Sequence, residues 1–172
     1  MNNTKTIFKS LLIMIVAISL FTVSCSKDEG GTKNPTNPTI VKVSADQITG
    51  VLKELGELKD TDNTTVILDF SSINPTSGSA TIGNANQSFA KVKTALTTVF
   101  GAPQTILAVT HNLDSAAKPN NNTALNVELT FKANSGFEFD TTITEGTAYT
   151  YNATDKTAKL ILEITPANNW AD

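Results

Sequence analysis

Alternation of apolar and polar residues in the second half of the chain limits its possible folds more than any other feature. Leu125–Lys132 and Leu160–Ile164 each place an apolar residue at every second position. Successive side chains of a strand point to opposite faces, so both segments are predicted to be half-buried strands. Shorter apolar segments predict further strands at 66–70, 106–110, 137–139 and 148–151. The polar phase leaves one sheet face wet, which is typical of an antiparallel meander.

Two segments earlier in the chain have helical spacing instead. Ser44 and Gln47 form a capping box, and the apolar residues that follow recur at helical intervals. This pattern predicts a first helix that ends near Lys59 and contains Gly56.

A second helix is predicted to have Asn84 or Asn86 as its N-cap and to end at Gly101 in the left-handed conformation. The order helix, strand, helix and meander predicts an α+β fold, with two helices packed on a mainly antiparallel sheet. A β-sandwich with peripheral helices is the alternative.

The first 25 residues have the organisation of an export signal. Lys5 and Lys9 precede an apolar run, Leu11–Val23, that is about 13 residues long and shorter than the ~20 residues of a membrane-spanning helix. The only cysteine of the chain, Cys25, follows this run after a single serine. The run therefore indicates a cleaved signal peptide.

Thr22-Val23-Ser24-Cys25 resembles the lipobox of bacterial lipoproteins, although Thr22 stands where leucine is usual. The resemblance implies that residues 1–24 are removed as a signal peptide and that Cys25 is acylated, with palmitate-like chains, to become the N-terminus. Two or three acyl chains are enough for a stable lipid anchor. The membrane is thus the first expected partner, through the anchor.

Lys27, Asp28 and Glu29 directly follow and resemble the export signal that sends lipoproteins of Bacteroidota to the outer face of the outer membrane. This resemblance implies a lipid-anchored protein of the cell outer membrane that is exposed at the cell surface; the periplasmic face is the alternative. Residues 25–39 combine the lipidated cysteine with a linker rich in glycine and proline. Residues 40–172 are predicted to form one globular domain.

Composition excludes several functional classes. The chain has 172 residues and a net charge of -3, and its 13 basic residues are all lysine, which argues against a nucleic-acid partner. A single cysteine and a single histidine, His111, exclude Cys- or His-based metal clusters. We expect no metal and no cofactor. Asp60-Thr61-Asp62-Asn63 is oxygen-rich but lacks the glycine and the distal glutamate of an EF-hand loop.

No enzyme is expected, because no nucleophile and base are placed together in the sequence. His111 is predicted to face solvent at the start of a loop, and the Gly-x-Ser-x-Gly motif of many hydrolases is absent. Two carboxylate sets are considered for hydrolysis: Glu138 with Asp140, which share one strand face, and Glu54 with Glu57 or Asp46 on the first helix. Their phase favours a polar outer face over a cleft.

Candidate contact residues are few. Tyr149, Tyr151 and Trp170 are the aromatic rings that could stack on a glycan or contact a protein ligand. The face that Tyr149 and Tyr151 share could also be the core face, and Trp170 could instead close the core. Asp114-Ser115-Ala116 and Asp140-Thr141-Thr142 resemble the acceptor sequence of Bacteroidota O-glycosylation, which implies Ser115 and Thr141 as acceptors.

The sequence therefore predicts a surface-tethered, non-catalytic binding or interaction module whose specific ligand is not encoded in any motif. A pilin-like or adhesin structural subunit is one alternative, weakened because the arginine-directed maturation of such pilins has no arginine to act on here. A periplasmic immunity or inhibitor lipoprotein is the other.

Overall fold

The computed structural model describes residues 39–76, 80–84, 88–166 and 169–171, with the backbone alone for 80–84. Cys25, the Lys27–Glu29 signal and the linker before Thr39 lie outside the described residues, as does Asn86. The chain from Thr39 to Asp172 forms one compact unit.

The chain has an α+β fold, as the order of predicted elements indicated. The elements follow one another as β1 (Val41–Val43), α1 (Ala45–Glu54), β2 (Glu57–Lys59), β3 (Val66–Asp69), β4 (Ala80–Asn84), α2 (Phe89–Phe100), β5 (Leu107–His111), a 3₁₀ turn (Leu113–Ser115), β6 (Leu125–Ala133), β7 (Phe137–Phe139), β8 (Thr150–Asn152) and β9 (Thr157–Pro166).

The largest sheet is built around the two segments with the clearest alternation. Strands β6 and β9 pair antiparallel, with Leu125 opposite Ile164 and Lys132 opposite Thr157. Strand β5 lies antiparallel on the far side of β6. Two strands share the other side of β9. Strand β8 pairs antiparallel with the first residues of β9, and β4 pairs in parallel with the last residues of β9.

The alternation also sets the core, as predicted. The apolar phase of β6 and β9 is buried in full, and α2 packs against β3 and β5 with Val92, Leu96 and Phe100 buried. Removal of this apolar surface from water is the main stabilising contribution to such a core. The polar phase of β6 and β9 is half-buried or exposed.

The predicted antiparallel meander is wrong at β7. Strand β7 does not extend a hairpin with β6; it pairs in parallel with β1, so that Val41 lies opposite Phe137 and Val43 opposite Phe139. Parallel pairing needs a long connection between the partners, and the whole domain from β1 to β7 supplies it. Such a distant pairing leaves no local pattern in the sequence.

The first helix is shorter than its apolar spacing predicted. The Ser44–Gln47 capping box is present, but α1 ends at Glu54. Gly56 follows in the left-handed region with a φ of 57°, and Leu58 belongs to β2, not to the helix. Glycine adopts this conformation without the steric cost that a Cβ brings, and so it ends the helix.

The second helix begins and ends differently from the prediction as well. Its N-cap is Ser88, whose hydroxyl accepts a hydrogen bond from the Lys91 N–H at 3.0 Å, and Asn84 is the last residue of β4. Gly101 ends the helix in the right-handed region, with a φ of −75°. A Cβ on Gly101 would lie 2.9 Å from the Thr97 carbonyl oxygen, so close approach explains this glycine.

Candidate functional site

A surface groove of about 440 Å³ opens beside α1. This volume falls within the range of small-ligand sites. Its three walls are one face of α1, the segment that follows Ile73, and the turn that precedes β8. The described residues that line it are Ala45, Asp46, Thr49, Gly50, Lys53, Asn74, Pro75, Thr76, Glu145, Gly146 and Thr147.

The helical wall follows from spacing alone. Asp46, Thr49, Gly50 and Lys53 stand at positions i, i+3, i+4 and i+7 of α1, and such residues share one helix face. The opposite face carries the buried residues Ile48 and Leu52 into the core. The helix is thereby fixed with its polar face toward the groove.

Hydrogen bonds hold the other two walls to each other. The Ala148 N–H donates to the Pro75 carbonyl oxygen at 3.1 Å, which ties the turn that precedes β8 to the segment after Ile73. Within that turn, the Thr147 hydroxyl donates to the Ile143 carbonyl oxygen at 2.6 Å. These bonds lie within the described part of the fold and preform the groove without a ligand.

Tyr149 fastens the turn to α1. The Thr49 hydroxyl donates to the Ala45 carbonyl oxygen at 2.9 Å, so the Tyr149 hydroxyl, 3.0 Å from Thr49 Oγ1, acts as donor to it. Burial of the ring raises the pKa of Tyr149 to about 12, and the charge of Asp46 adds to the rise.

Three charged side chains line the groove and are exposed: Asp46, Lys53 and Glu145. Within the described residues none of them forms an ion pair, whereas Lys42 pairs with Glu138 and Lys159 pairs with Glu128 at 2.8 Å. The groove thus offers two carboxylates and one ammonium group, beside threonine hydroxyls and the Asn74 amide, to a ligand.

The aromatic residues predicted as contacts lie elsewhere. Trp170 is 3% exposed; it packs edge-on against Phe89 at 6.2 Å between ring centroids and donates from Nε1 to the Thr123 carbonyl oxygen at 2.9 Å. Tyr149 is also 3% exposed and packs against Phe131. Neither ring offers a face for stacking on a ligand, which corrects that expectation.

Tyr151 differs from these two rings in being half-buried. It packs edge-on against Phe139 with 6.1 Å between ring centroids. It therefore keeps some exposed ring surface and remains a candidate contact residue, away from the lining of the groove.

Both predicted acceptor hydroxyls belong to exposed residues. Ser115 closes the 3₁₀ turn, and its hydroxyl donates to the Asn112 carbonyl oxygen at 3.0 Å. Thr141 lies in the turn after β7, beside Asp140. Because both residues are exposed, burial does not prevent a modifying enzyme from reaching either hydroxyl.

In the strand pair considered for hydrolysis, Glu138 and Asp140, each carboxylate already has a partner within the fold. Glu138 forms an ion pair with Lys42 on the adjacent strand. Asp140 Oδ1 accepts hydrogen bonds from the Thr142 N–H at 2.9 Å and the Thr142 hydroxyl at 2.7 Å, and these bonds lower the pKa of Asp140. A lowered pKa suits a structural turn and not a general acid at neutral pH.

His111 ends β5 and is half-buried instead of facing solvent. Its ring lies against Phe100, and Nδ1 accepts from the Leu113 N–H at 3.3 Å, which places the proton on Nε2 in the neutral form. The residue thus starts the 3₁₀ turn by a local side-chain to backbone bond.

The oxygen-rich turn after β2 satisfies its own backbone. Asp60 Oδ1 accepts from the N–H groups of Thr64 and Thr65 at 3.1 and 3.3 Å, and the Thr64 bond is the main cause of the lowered pKa of Asp60.

Among the described residues no three histidine, cysteine, aspartate or glutamate side chains are grouped as metal ligands. No helix in that same part of the chain is long and apolar enough to cross a membrane.

No protein-family model, no curated protein and no solved structure matches the chain. The functional assignment therefore rests on the sequence and the structure of this protein.

Sequence reasoning missed the groove. It considered Asp46 only as part of a polar helix face, placed Glu145 in a turn, and gave no role to Gly50 or Lys53. The available signal was Gly50, a glycine inside a capped helix, where glycine weakens the helix and no turn requires it. The third wall comes from residues about 100 positions further along the chain and gave no local signal.

Proposed function

We propose that this protein is a lipid-anchored, surface-exposed outer-membrane lipoprotein that acts as a non-catalytic binding module. The observation that carries the proposal is the groove beside α1, preformed by backbone and side-chain hydrogen bonds and lined by three charged groups without ion pairs. Binding sites of this kind need fixed walls and a few unsatisfied polar groups.

The anchor is supported by Cys25 and the residues around it. Acylation at Cys25 would tether the unit that begins at Thr39 through a short linker, and Lys27, Asp28 and Glu29 would direct it to the outer face. Ser115 and Thr141 are the proposed glycan acceptors on the exposed unit. Loss of a glycan mass in Ser115→Ala or Thr141→Ala protein, measured by mass spectrometry, tests each site.

Surface display is tested by protease treatment of intact cells that express the full chain. Wild-type protein is expected to be degraded, and a variant with alanine at Lys27, Asp28 and Glu29 is expected to be protected. The matched control carries alanine at Thr32, Lys33 and Asn34 of the same linker and should behave as wild type. Protection of the wild type in intact cells, with degradation after lysis, would contradict surface display and favour the periplasmic alternative.

Lipid attachment is tested on the same strains with radiolabelled palmitate. Label is expected in the wild-type band and absent from Cys25→Ala. A labelled Cys25→Ala band would contradict the anchor. Light scattering of the purified mature protein is expected to report no polymer, whereas polymers would favour the pilin-like alternative.

A further inference from the structure

We propose that the groove binds both ends of a short extended peptide of about three residues, with the peptide ammonium at Asp46 and Glu145 and its carboxylate at Lys53. The inference rests on the proposed function, since it names the ligand class of the same binding module. Three independent features of the groove support it.

The spacing of the charges sets the length of the ligand. Asp46 and Lys53 are seven residues apart on one face of α1, and a rise of 1.5 Å per residue separates their backbones by about 10 Å. An extended chain spans 3.3–3.6 Å per residue, so a peptide of about three residues matches this separation.

The character of the charges sets the chemistry of the ligand ends. Ammonium groups form strong, charge-assisted hydrogen bonds with carboxylates, and two carboxylates, Asp46 and Glu145, stand in the groove. Among the described residues of the lining, Lys53 is the only cation, and it matches a terminal carboxylate. A neutral sugar carries neither charge, and none of these described lining residues has an aromatic ring on which a sugar could stack.

Gly50 supports an occupant between the two charged ends. It lies midway along the polar face of α1, where a glycine destabilises a helix relative to alanine. A Cβ built on Gly50 would meet nothing within 4 Å, so close packing does not explain it. Its missing side chain leaves room for the peptide backbone to lie against the helix.

The test uses the full mature lipoprotein in detergent micelles, titrated with trialanine and followed by NMR chemical shifts of the backbone amides. Shifts are expected at residues 46–53 and 145–147. N-acetyl-trialanine lacks the ammonium group and trialanine amide lacks the carboxylate. Each should bind about tenfold more weakly or worse, as loss of a hydrogen bond to a charged group predicts.

Variants locate the binding to the groove. Asp46→Asn and Lys53→Gln are expected to weaken trialanine binding about tenfold. Gly50→Leu, which fills the middle of the groove, is expected to abolish it. Matched controls are Glu54→Gln on the same helix and Lys132→Gln on β6, both exposed and outside the lining, and both should bind as wild type. Thermal unfolding of every variant separates loss of binding from loss of the fold.

Three results would overturn the proposal: no shifts at about 10 mM trialanine, where even a millimolar Kd is detected; equal affinity for the blocked peptides; or unchanged binding by Gly50→Leu. These failures are distinguishable from failure of the proposed function. Surface display is measured on intact cells and is independent of the titration. A displayed protein that ignores trialanine loses only this inference, and a protected protein that binds it loses only the display.

Discussion

Replacing Trp170 by alanine tests how the C-terminal end of the chain is held. The indole ring is 3% exposed, lies edge-on to Phe89, and donates its N–H to the Thr123 carbonyl oxygen at 2.9 Å. Trp170 is the only tryptophan of the chain. Its side chain therefore closes the core next to the start of α2 and ties the tail to the loop that precedes β6.

The magnitude follows from the two contributions. Truncation of a fully buried tryptophan to alanine costs about 3–5 kcal/mol, which includes the cavity and the lost aromatic contact. The hydrogen bond adds little, because Thr123 is exposed and water can replace the indole donor. Trp170→Phe keeps a ring against Phe89 and should cost about 1–2 kcal/mol. Exposed Asn169→Ala is the matched control and should stay within about 0.5 kcal/mol.

The assays are urea unfolding and thermal unfolding of the full chain, both followed by far-ultraviolet circular dichroism, because the Trp170 variants remove the only tryptophan. The midpoint temperature of Trp170→Ala should fall by roughly 12 °C or more, at about 4 °C per kcal/mol for a unit of this size. A cost below about 1 kcal/mol for Trp170→Ala would refute the buried placement. Free access of acrylamide to the wild-type tryptophan would refute it as well.

Three further predictions concern single positions. Gly50→Ala should stabilise the protein by about 0.5–1 kcal/mol, while Gly56→Ala, at a φ of 57°, should destabilise it by about 1 kcal/mol, both measured by urea unfolding. The lowered pKa values of Asp60 and Asp140 stabilise the folded state above pH 3.8, and this contribution is lost as the pH falls through the folded values; alanine at either position should flatten the loss of stability below pH 4. Tyr149→Phe should cost about 1 kcal/mol through loss of the hydroxyl bond to α1 and should remove the phenolate absorbance that appears near pH 12.

The strands with a clear alternation could be predicted because the signal and the structure have the same origin. In β6 and β9 the period of two that marks the sequence is the period that separates the buried from the wet face. The capping box of α1 was readable for a similar reason, since Ser44 and Gln47 satisfy groups within one turn of each other. Local patterns encode local structure.

The ends of both helices could not be predicted in the same way. Leu58 fits the helical spacing, yet Gly56 ends α1 first, and the sequence alone does not reveal which of these two signals dominates. At α2, Ser88 and the nearby asparagines are all good N-caps, and the residue types alone do not reveal that Ser88 is the one that starts the helix. The parallel pairing of β1 with β7 depends on contacts between distant segments and has no local signal at all.

The sequence left the placement of the aromatic rings open for a related reason. Tyr149 and Trp170 stand near chain turns and the C-terminus, where exposure is common, but each ring finds a buried partner and a hydrogen bond. Burial of a ring near a terminus depends on whether the chain folds back, which the amino-acid types do not determine. The groove could not be predicted from the sequence for the same reason, because its walls meet only in the folded chain.

Gly50 is the position at which stability and function should move in opposite directions. A residue kept for packing loses stability and function together when it is replaced. At Gly50 the space is open and leucine is a good helix former, so Gly50→Leu should raise the free energy of unfolding while it abolishes peptide binding. Glycine at a site where larger residues would stabilise the fold is the expected result when selection keeps a binding surface clear. If Gly50→Leu stabilises the protein and leaves trialanine binding intact, the glycine has no role in the groove, and the charges of α1 serve only the helix dipole.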